Sequence, residues 1–105
     1  MNDLTRVLDW QGSVQRITAK HPSLPGHFPG QPVVPGVVIL DCVRAALAGQ
    51  RPDWRIAGMP NAKFLNPLLP EQDFTVQLSG EAPRIRFKVE SAGQLLAQGQ
   101  LEIDT

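Results

Sequence analysis

A proline-rich segment in the N-terminal third constrains this chain more than any other feature. Five of the ten prolines lie between Pro22 and Pro35, in the stretch HPSLPGHFPGQPVVPG. Proline fixes φ near −65° and has no N–H to donate, so the stretch can form neither a helix nor a regular strand. Each proline also restricts the residue before it, which leaves little conformational freedom to lose on folding. We therefore predict a rigid loop that holds its side chains in place.

The composition changes abruptly after this loop. From Gly36 the chain reads GVVILDCVRAALAG, without proline, and Gly49 is placed to end a helix of about three turns. Apolar residues lie all round this helix and only Asp41 and Arg44 interrupt them. That pattern predicts a helix that is buried on most sides, so other elements must wrap it.

The C-terminal third has the alternating pattern of half-buried strands. Apolar and polar residues alternate over residues 74–79 and 84–90, and again over 95–103 after a Ser-Ala-Gly turn signal. This predicts an antiparallel meander, and fainter patterns at 13–18 and 54–64 predict earlier strands. One helix and five or six such strands form two layers if the sheet curves around the helix. The predicted fold class is therefore α+β.

Length and charge narrow the function classes. The 105 residues fit a single domain over 1–105, and ten basic and ten acidic side chains cancel to a net charge of zero. No global charge therefore favours nucleic acid or an anionic membrane, and the longest apolar run, 37–40, is too short to span a bilayer. The N-terminus lacks a secretion-signal pattern, and the single Cys42 cannot form an internal disulfide, so we expect a cytoplasmic protein. A chain this small buries only about two-thirds of its unfolded surface, which favours an oligomer.

One segment matches a known active site. HFPG at residues 27–30 and PVVPG at 32–36 precede an aliphatic helix start and then Asp41, fourteen positions after His27. This segment resembles the β-hydroxyacyl-(acyl carrier protein) dehydratases, the FabA/FabZ-type enzymes of the hot-dog fold. Weaker similarities follow in Ala-Lys-Phe, Asn-Pro and Leu-Pro-Glu between residues 62 and 71. Within the family, the segment is most similar to short accessory dehydratases of aryl-polyene clusters.

The resemblance implies a fold, an assembly and a reaction. The fold is a long central helix wrapped by a curved antiparallel sheet, and two subunits join their sheets in a homodimer, with a heterodimer as the alternative. The reaction dehydrates 3-hydroxyacyl thioesters on an acyl carrier protein to trans-2-enoyl thioesters, in fatty-acid or polyene biosynthesis, with no metal and no organic cofactor. The histidine and the acid meet from opposite subunits, so an isolated monomer would be inactive.

His27 and Asp41 have the side-chain types that this reaction needs, a base and an acid respectively. A neutral imidazole can take the C2 proton, and a carboxylic acid kept protonated by desolvation can donate to the departing hydroxyl on C3. Gly36 begins the helix, where free N–H groups favour negative charge on the thioester oxygen. The resemblance assigns the same three roles and adds the Val33 carbonyl, which orients the imidazole. The substrate-binding residues that it implies are Phe28, Val33, Pro35 and Val37.

These residues also have structural explanations that the sequence leaves open. His27 could bond to the loop backbone, and Asp41 could pair with Arg44 on the helix surface. Gly36 could be a steric necessity. Cys42 has aliphatic neighbours and is expected to fill space in the core rather than act as a nucleophile.

The chain departs from the family pattern at three points. Asp41 stands where most FabZ-type enzymes carry glutamate and FabA-type enzymes carry aspartate, which does not by itself imply isomerase activity. Ala45 replaces a glutamine that the family usually carries four residues after the acid, so the positioning of Asp41 is in question. The chain has no tyrosine that could gate an acyl tunnel.

A basic stripe is a candidate docking site for the carrier. Arg84, Arg86 and Lys88 alternate with apolar residues, so all three should project from the outer face of one strand. Acyl carrier proteins are acidic, and such a stripe could attract one, although an ordinary solvated strand face explains it equally well.

Two other functions remain open at this point. A hot-dog thioesterase would use an acidic residue and water to hydrolyse the same thioester, but the HFPG loop speaks against it. A non-catalytic subunit would pair with an active homologue, and Ala45 keeps that alternative open.

Overall fold

A five-stranded antiparallel sheet and one α-helix form the part of the chain that the computed structural model describes, residues 4–21 and 33–105. His27 and Phe28 lie outside these residues. The elements in chain order are a short 3-10 helix Leu4–Arg6, β1 Val7–Gln11, α1 Gly36–Gln50, β2 Arg55–Phe64, β3 Thr75–Glu81, β4 Arg84–Ser91 and β5 Gln94–Asp104.

The sheet has the strand order β1-β3-β4-β5-β2. Strands β3, β4 and β5 form the predicted meander, and β1 and β2 are its two edges. Ala92 and Gly93 connect β4 to β5, both with positive φ (50° and 78°), which a tight hairpin turn requires and which glycine adopts readily. The helix from Gly36 and the strand within 54–64 are also confirmed.

The predicted strand at 13–18 is wrong. The N-terminal strand is β1, and beyond it Gln15 forms an isolated bridge with Phe74. Gln11 pairs with Gln77, so a regular ladder would place Val14 opposite Phe74. One extra residue therefore interrupts the pairing and ends the strand.

The core lies between α1 and the inner face of the sheet. On β4, the apolar residues Ile85, Phe87 and Val89 are buried while the basic residues between them are exposed, as the alternation predicts. On α1, Val38, Ile39, Val43 and Leu47 are buried. Burying a side chain of this kind contributes about 1.5–3 kcal/mol, so this inner layer dominates the stability.

The expectation that α1 is buried on most sides is not met by this chain alone. Val37, Asp41, Ala45 and Ala48 are exposed. These residues are spaced by three or four positions, so they form one stripe along the helix. A single five-stranded sheet covers only the opposite side. None of the helices in residues 4–21 and 33–105 is long and apolar enough to cross a membrane.

Candidate active site

The start of α1 forms one wall of an open, largely apolar cleft of about 510 Å³. Residues 33–36 and Ile39 lie on one side, and residues 64–68 lie on the other. Pockets that bind small ligands commonly have volumes of about 300–1,000 Å³, so the cleft can hold an acyl group of moderate size.

One backbone hydrogen bond joins the two walls, and two further hydrogen bonds attach the second wall to β5. The Val34 N–H donates to the Leu68 carbonyl at 2.8 Å, and both residues are buried. The Leu65 N–H donates to the Leu96 carbonyl at 2.8 Å, and Asn66 Nδ2 donates to a neighbouring carbonyl on β5, that of Leu95. The described walls of the cleft are therefore held in place by the protein's own hydrogen bonds.

The first turn of α1 presents free N–H groups. Pro35 is the N-cap and has no side chain that could cap the helix, and its carbonyl accepts from Val38 and Ile39 at 3.0 and 3.4 Å. Among the described residues, no hydrogen bond takes up the N–H of Gly36 or Val37. Unpaired N–H groups at a helix N-terminus attract an anion or a carbonyl oxygen that gains negative charge.

Phe64 packs against this first turn. A Cβ built on Gly36 would lie 2.9 Å from Phe64 Cζ and 3.1 and 3.3 Å from Cε1 and Cε2. Any other residue at position 36 would therefore press on the ring. The steric constraint on Gly36 therefore comes from Phe64, which the sequence did not indicate, and it is compatible with the predicted role of the Gly36 N–H.

Asp41 lies on a different side of α1 from the cleft. It is five residues after Gly36, which places it about 7.5 Å along the axis and about 140° around it. Its side chain is exposed, and within 4–21 and 33–105 it forms no ion pair with Arg44. The expected desolvation of Asp41 is therefore not provided by the chain's own described residues.

The other predicted site residues divide into three groups. Val33 and Pro35 line the cleft together with Gly36. Val37 is 62% exposed and belongs to the helix stripe that carries Asp41. His27 and Phe28 lie outside the described residues, so their positions relative to the cleft stay predictions.

Sequence reasoning assigned no role to Phe64, Leu65 and Asn66, which form the second wall. The signal was present, because the family similarity includes Lys63-Phe64 and Asn66-Pro67. These short matches became informative only when the backbone placed them beside residues 33–36.

Cys42 has the environment of a residue that fills space. Burial raises the pKa of its thiol, and the neighbouring charge of Asp41 raises it further. The thiol therefore keeps its proton at neutral pH, as the sequence predicted for a non-nucleophilic cysteine. Within the described part of the chain, no group of three or more His, Cys, Asp or Glu side chains is arranged to hold a metal ion.

The basic stripe lies on the outer face of the sheet. Arg84, Arg86 and Lys88 occupy alternate positions of β4, and all three are exposed. The first member differs from the other two, because Arg84 is paired across the sheet with Glu81 on β3 and Glu102 on β5. Residues directly opposite on neighbouring strands lie about 5 Å apart, so these carboxylates offset the charge of Arg84.

Arg86 and Lys88 have neutral neighbours. Arg86 lies between Ser79 and Gln100, and Lys88 lies between Gln77 and Gln98. Gln98 is also paired with Lys63 on β2, so this third cation shares the outer face. Lys63, Arg86 and Lys88 line a shallow depression there. We call these three residues the outer basic patch.

Comparison with known proteins identifies the family. A model of the ApeI-like family, described as ApeI dehydratase, matches residues 9–100. The 3-hydroxyacyl-acyl-carrier-protein dehydratase FabZ of Haemophilus influenzae strain PittEE is 34% identical over 92 residues, which cover 72% of this chain and 62% of the relative. A FabZ of Thermus thermophilus is 33% identical over 98 residues, covering 84% and 68%. The chain thus spans about 62% of the length of the Haemophilus relatives.

Solved structures share the fold. The dehydratase heterocomplex ApeI:P of Xenorhabdus doucetiae superposes with a TM-score of 0.80 at 20% identity, covering 94% of this chain and 98% of the other. An uncharacterized protein of Erwinia carotovora subsp. atroseptica gives 0.74 at 21% identity, covering 93% and 95%. The predicted α+β hot-dog fold is confirmed. With the family model matching residues 9–100, the chain belongs to the ApeI-like dehydratase family.

Proposed function

We propose that the protein dehydrates 3-hydroxyacyl thioesters carried on an acyl carrier protein and releases trans-2-enoyl thioesters. The observation that carries this proposal is the N–H of Gly36, which donates no hydrogen bond among the described residues and lies at the wall of an apolar cleft. Such a site offers a donor for a thioester oxygen beside a surface for an acyl chain. Family membership supports the same reaction.

The reaction needs one proton removed and one supplied. We assign the base to His27, which takes the C2 proton, and the acid to Asp41, which protonates the C3 hydroxyl so that the C–O bond breaks and water leaves. The electron pair from the C2–H bond forms the new double bond. Charge gathers on the thioester oxygen meanwhile, and the Gly36 N–H stabilises it. All atoms balance without a metal or an organic cofactor.

The exposure of Asp41 favours a site shared between two subunits. Asp41 lies on the helix stripe that also carries Val37, Ala45 and Ala48, about 140° around the axis from Gly36. A second copy of this single-domain chain that covers the stripe would desolvate Asp41 and bring it to the partner's cleft. We therefore propose a homodimer with two composite sites, in which the Val33 carbonyl orients His27 and the acyl group contacts Phe28, Val33, Pro35 and Val37.

The test is a dehydration assay with paired variants. His27→Ala and Asp41→Asn should each abolish turnover in a homodimer, while Asp53→Asn, an exposed carboxylate away from the cleft, should not. Mixing the two inactive proteins should restore about a quarter of the wild-type activity, because half of the dimers become mixed and each mixed dimer has one intact site. Full activity of either single variant would refute the assignments, and no recovery on mixing would refute the shared site.

The outer basic patch is the surface that we propose for carrier docking. The sequence pointed to Arg84, Arg86 and Lys88, but the charge of Arg84 is offset by its neighbours across the sheet. Arg86→Gln and Lys88→Gln should therefore raise the KM for a carrier-linked substrate and leave the KM for a short thioester mimic unchanged. Arg84→Gln is the matched control and should change neither. Equal effects on both substrates would refute docking at this face.

A non-catalytic partner subunit is the second candidate. The structural neighbour from Xenorhabdus doucetiae is a dehydratase heterocomplex, and Ala45 lies one helical turn from Asp41 where the family carries glutamine. If the purified chain forms no product alone but raises the turnover of an active homologue, this candidate replaces the first.

Thioester hydrolysis is a third candidate function. It is distinguished from dehydration by the release of free thiol instead of the loss of water. We propose a cytoplasmic location, which suits the free thiol of Cys42.

A further inference from the structure

Phe64 ends an apolar row of the sheet at the edge of the cleft. The register pairs Phe64 with Ala97, Ala97 with Val89, and Val89 with Val76, so the four residues lie side by side on the inner face. The other three are buried, whereas Phe64 is 50% exposed. The core therefore ends in a phenyl ring that is partly in the cleft.

The tip of this ring lies at the start of α1. Its Cζ, Cε1 and Cε2 atoms are all within 3.3 Å of the position that a Cβ on Gly36 would occupy. The backbone nitrogen of Gly36 is bonded to the same Cα that would carry this Cβ, and its N–H donates no hydrogen bond within residues 4–21 and 33–105. Gly36 and Phe64 both line the cleft, so a group that accepts a hydrogen bond from this N–H would share the cleft with the Phe64 ring.

We propose that Phe64 is a specificity-determining residue, whose ring limits the width of the cleft beside Gly36 and so excludes acyl groups that branch close to the reacting carbons. The inference rests on the proposed function, because it takes the thioester oxygen to bind at the Gly36 N–H. The carbons that react are the two that follow the thioester carbonyl. A methyl branch on the next carbon, C4, widens the chain beside these two carbons and leaves both of them chemically unchanged.

Two contacts limit how far the Phe64 ring can move. Strand β2 fixes its Cα by pairing with β5 at Ala97, and Gly36 blocks its tip. Leu65, the next residue, is anchored through its N–H to the Leu96 carbonyl. A branched substrate would have to displace a held side chain, and apolar pockets commonly discriminate between substrates that differ by one methyl-sized group by about 10- to 200-fold.

The experiment compares two pantetheine thioesters with the same number of carbons, one with an unbranched 3-hydroxyacyl chain and one with a methyl branch at C4. The measured quantity is the ratio of kcat/KM for the branched substrate to that for the unbranched one. We expect Phe64→Ala to raise this ratio at least about tenfold and Phe64→Leu to raise it less. Leu69→Ala is the matched control, because Leu69 is 48% exposed but does not line the cleft, and it should leave the ratio unchanged.

An unchanged ratio in a folded Phe64→Ala protein would overturn the proposal. So would an equal loss of kcat/KM for both substrates, which would assign Phe64 a structural role. Thermal unfolding checks that the variants fold. If Phe64→Ala does not fold, the substrate ratio of Phe64→Leu decides whether Phe64 selects against branching.

A binding measurement separates this inference from the proposed function. Unreactive ketone analogues, in which a methylene replaces the thioester sulfur, are titrated into each variant by calorimetry. Wild-type protein that binds these analogues but dehydrates neither substrate would refute the proposed function. The ratio of the two Kd values would still decide whether Phe64 selects against branching, with the same tenfold shift expected for Phe64→Ala.

Discussion

Replacing Gly36 by alanine probes the contact on which the geometry of the cleft depends. The new methyl group would lie 2.9 to 3.3 Å from three atoms of the Phe64 ring. Ordinary carbon contacts are at about 3.5–4.0 Å, so the ring has to move by roughly half an ångström or more. The substitution keeps the backbone N–H, and it changes the packing and the freedom of the unfolded chain.

The expected cost follows from two opposing effects. Forcing an extra methyl into a packed contact costs about 1–3 kcal/mol. Alanine recovers about 0.5–1 kcal/mol relative to glycine in a helix, because the unfolded chain loses freedom. Gly36→Ala should therefore lower the free energy of unfolding by about 1 kcal/mol. In a Phe64→Ala background the clash is gone, and the same change should stabilise the protein by about 0.5–1 kcal/mol.

Urea denaturation of the four proteins in this double-mutant cycle, at one fixed protein concentration, gives the coupling energy. We expect about 1.5–2 kcal/mol between positions 36 and 64. Gly49→Ala is the control, because a Cβ on that helical glycine meets nothing within 4 Å, and it should stabilise both backgrounds equally. Additive effects of Gly36→Ala and Phe64→Ala would refute the packing that we describe.

Three further predictions concern the sheet and the core. Gly99→Ala should cost about 3 kcal/mol or more, because the new Cβ would lie 2.6 Å from the buried ring of Phe87, and thermal unfolding measures the loss; a Tm within a few degrees of wild type would contradict it. Ser91→Ala should cost about 1–2 kcal/mol in urea denaturation, because the buried hydroxyl accepts from Gln72 Nε2 at 2.9 Å and donates to a backbone carbonyl; unchanged stability would contradict it. The raised pKa of Cys42 should slow its alkylation by iodoacetamide in the folded protein relative to urea-unfolded protein, and equal rates would contradict it. Because the folded thiol keeps its proton to higher pH than the unfolded one, stability should fall as pH rises past the ordinary thiol pKa of 9.0, and Cys42→Ala should remove that slope.

The helix and the meander were predictable because local rules decide them. The sequence after Pro35 has no proline, so its apolar run can be buried as a helix. On β4, apolar and polar residues alternate with a period of two, so a strand is the regular structure that buries the apolar ones. The N-terminal strand was not predictable in the same way. Its position depends on where it pairs with β3, and the extra residue before Gln15 is invisible until that pairing exists.

The candidate site was predictable in its residue types and not in its walls. Gly36 lies at the cleft as the motif predicts, whereas Asp41, predicted from the same motif, lies on another side of α1, and its role as the acid stays a prediction. Phe64 and Asn66 are about thirty residues beyond Gly36, and the pairing of β2 with β5 and the hydrogen bond from Val34 to Leu68 bring them beside the helix. Sequence spacing carries no information on contacts of that kind. In the same way, the two carboxylates that offset the charge of Arg84, those of Glu81 and Glu102, could be identified only from the strand register.

In the homodimer that we propose, the position of Asp41 would tie the stability of the assembly to the chemistry of the site. Val37 is 62% exposed on the same stripe, and Ala45 and Ala48 continue it. Apolar side chains on one face of a helix gain free energy when another surface removes them from water. A surface that does so also removes water from the carboxyl group among them, and desolvation favours its protonated form. The contact that would stabilise a pair of these chains is therefore the same contact that would prepare Asp41 to act as an acid, so a monomer would lack both.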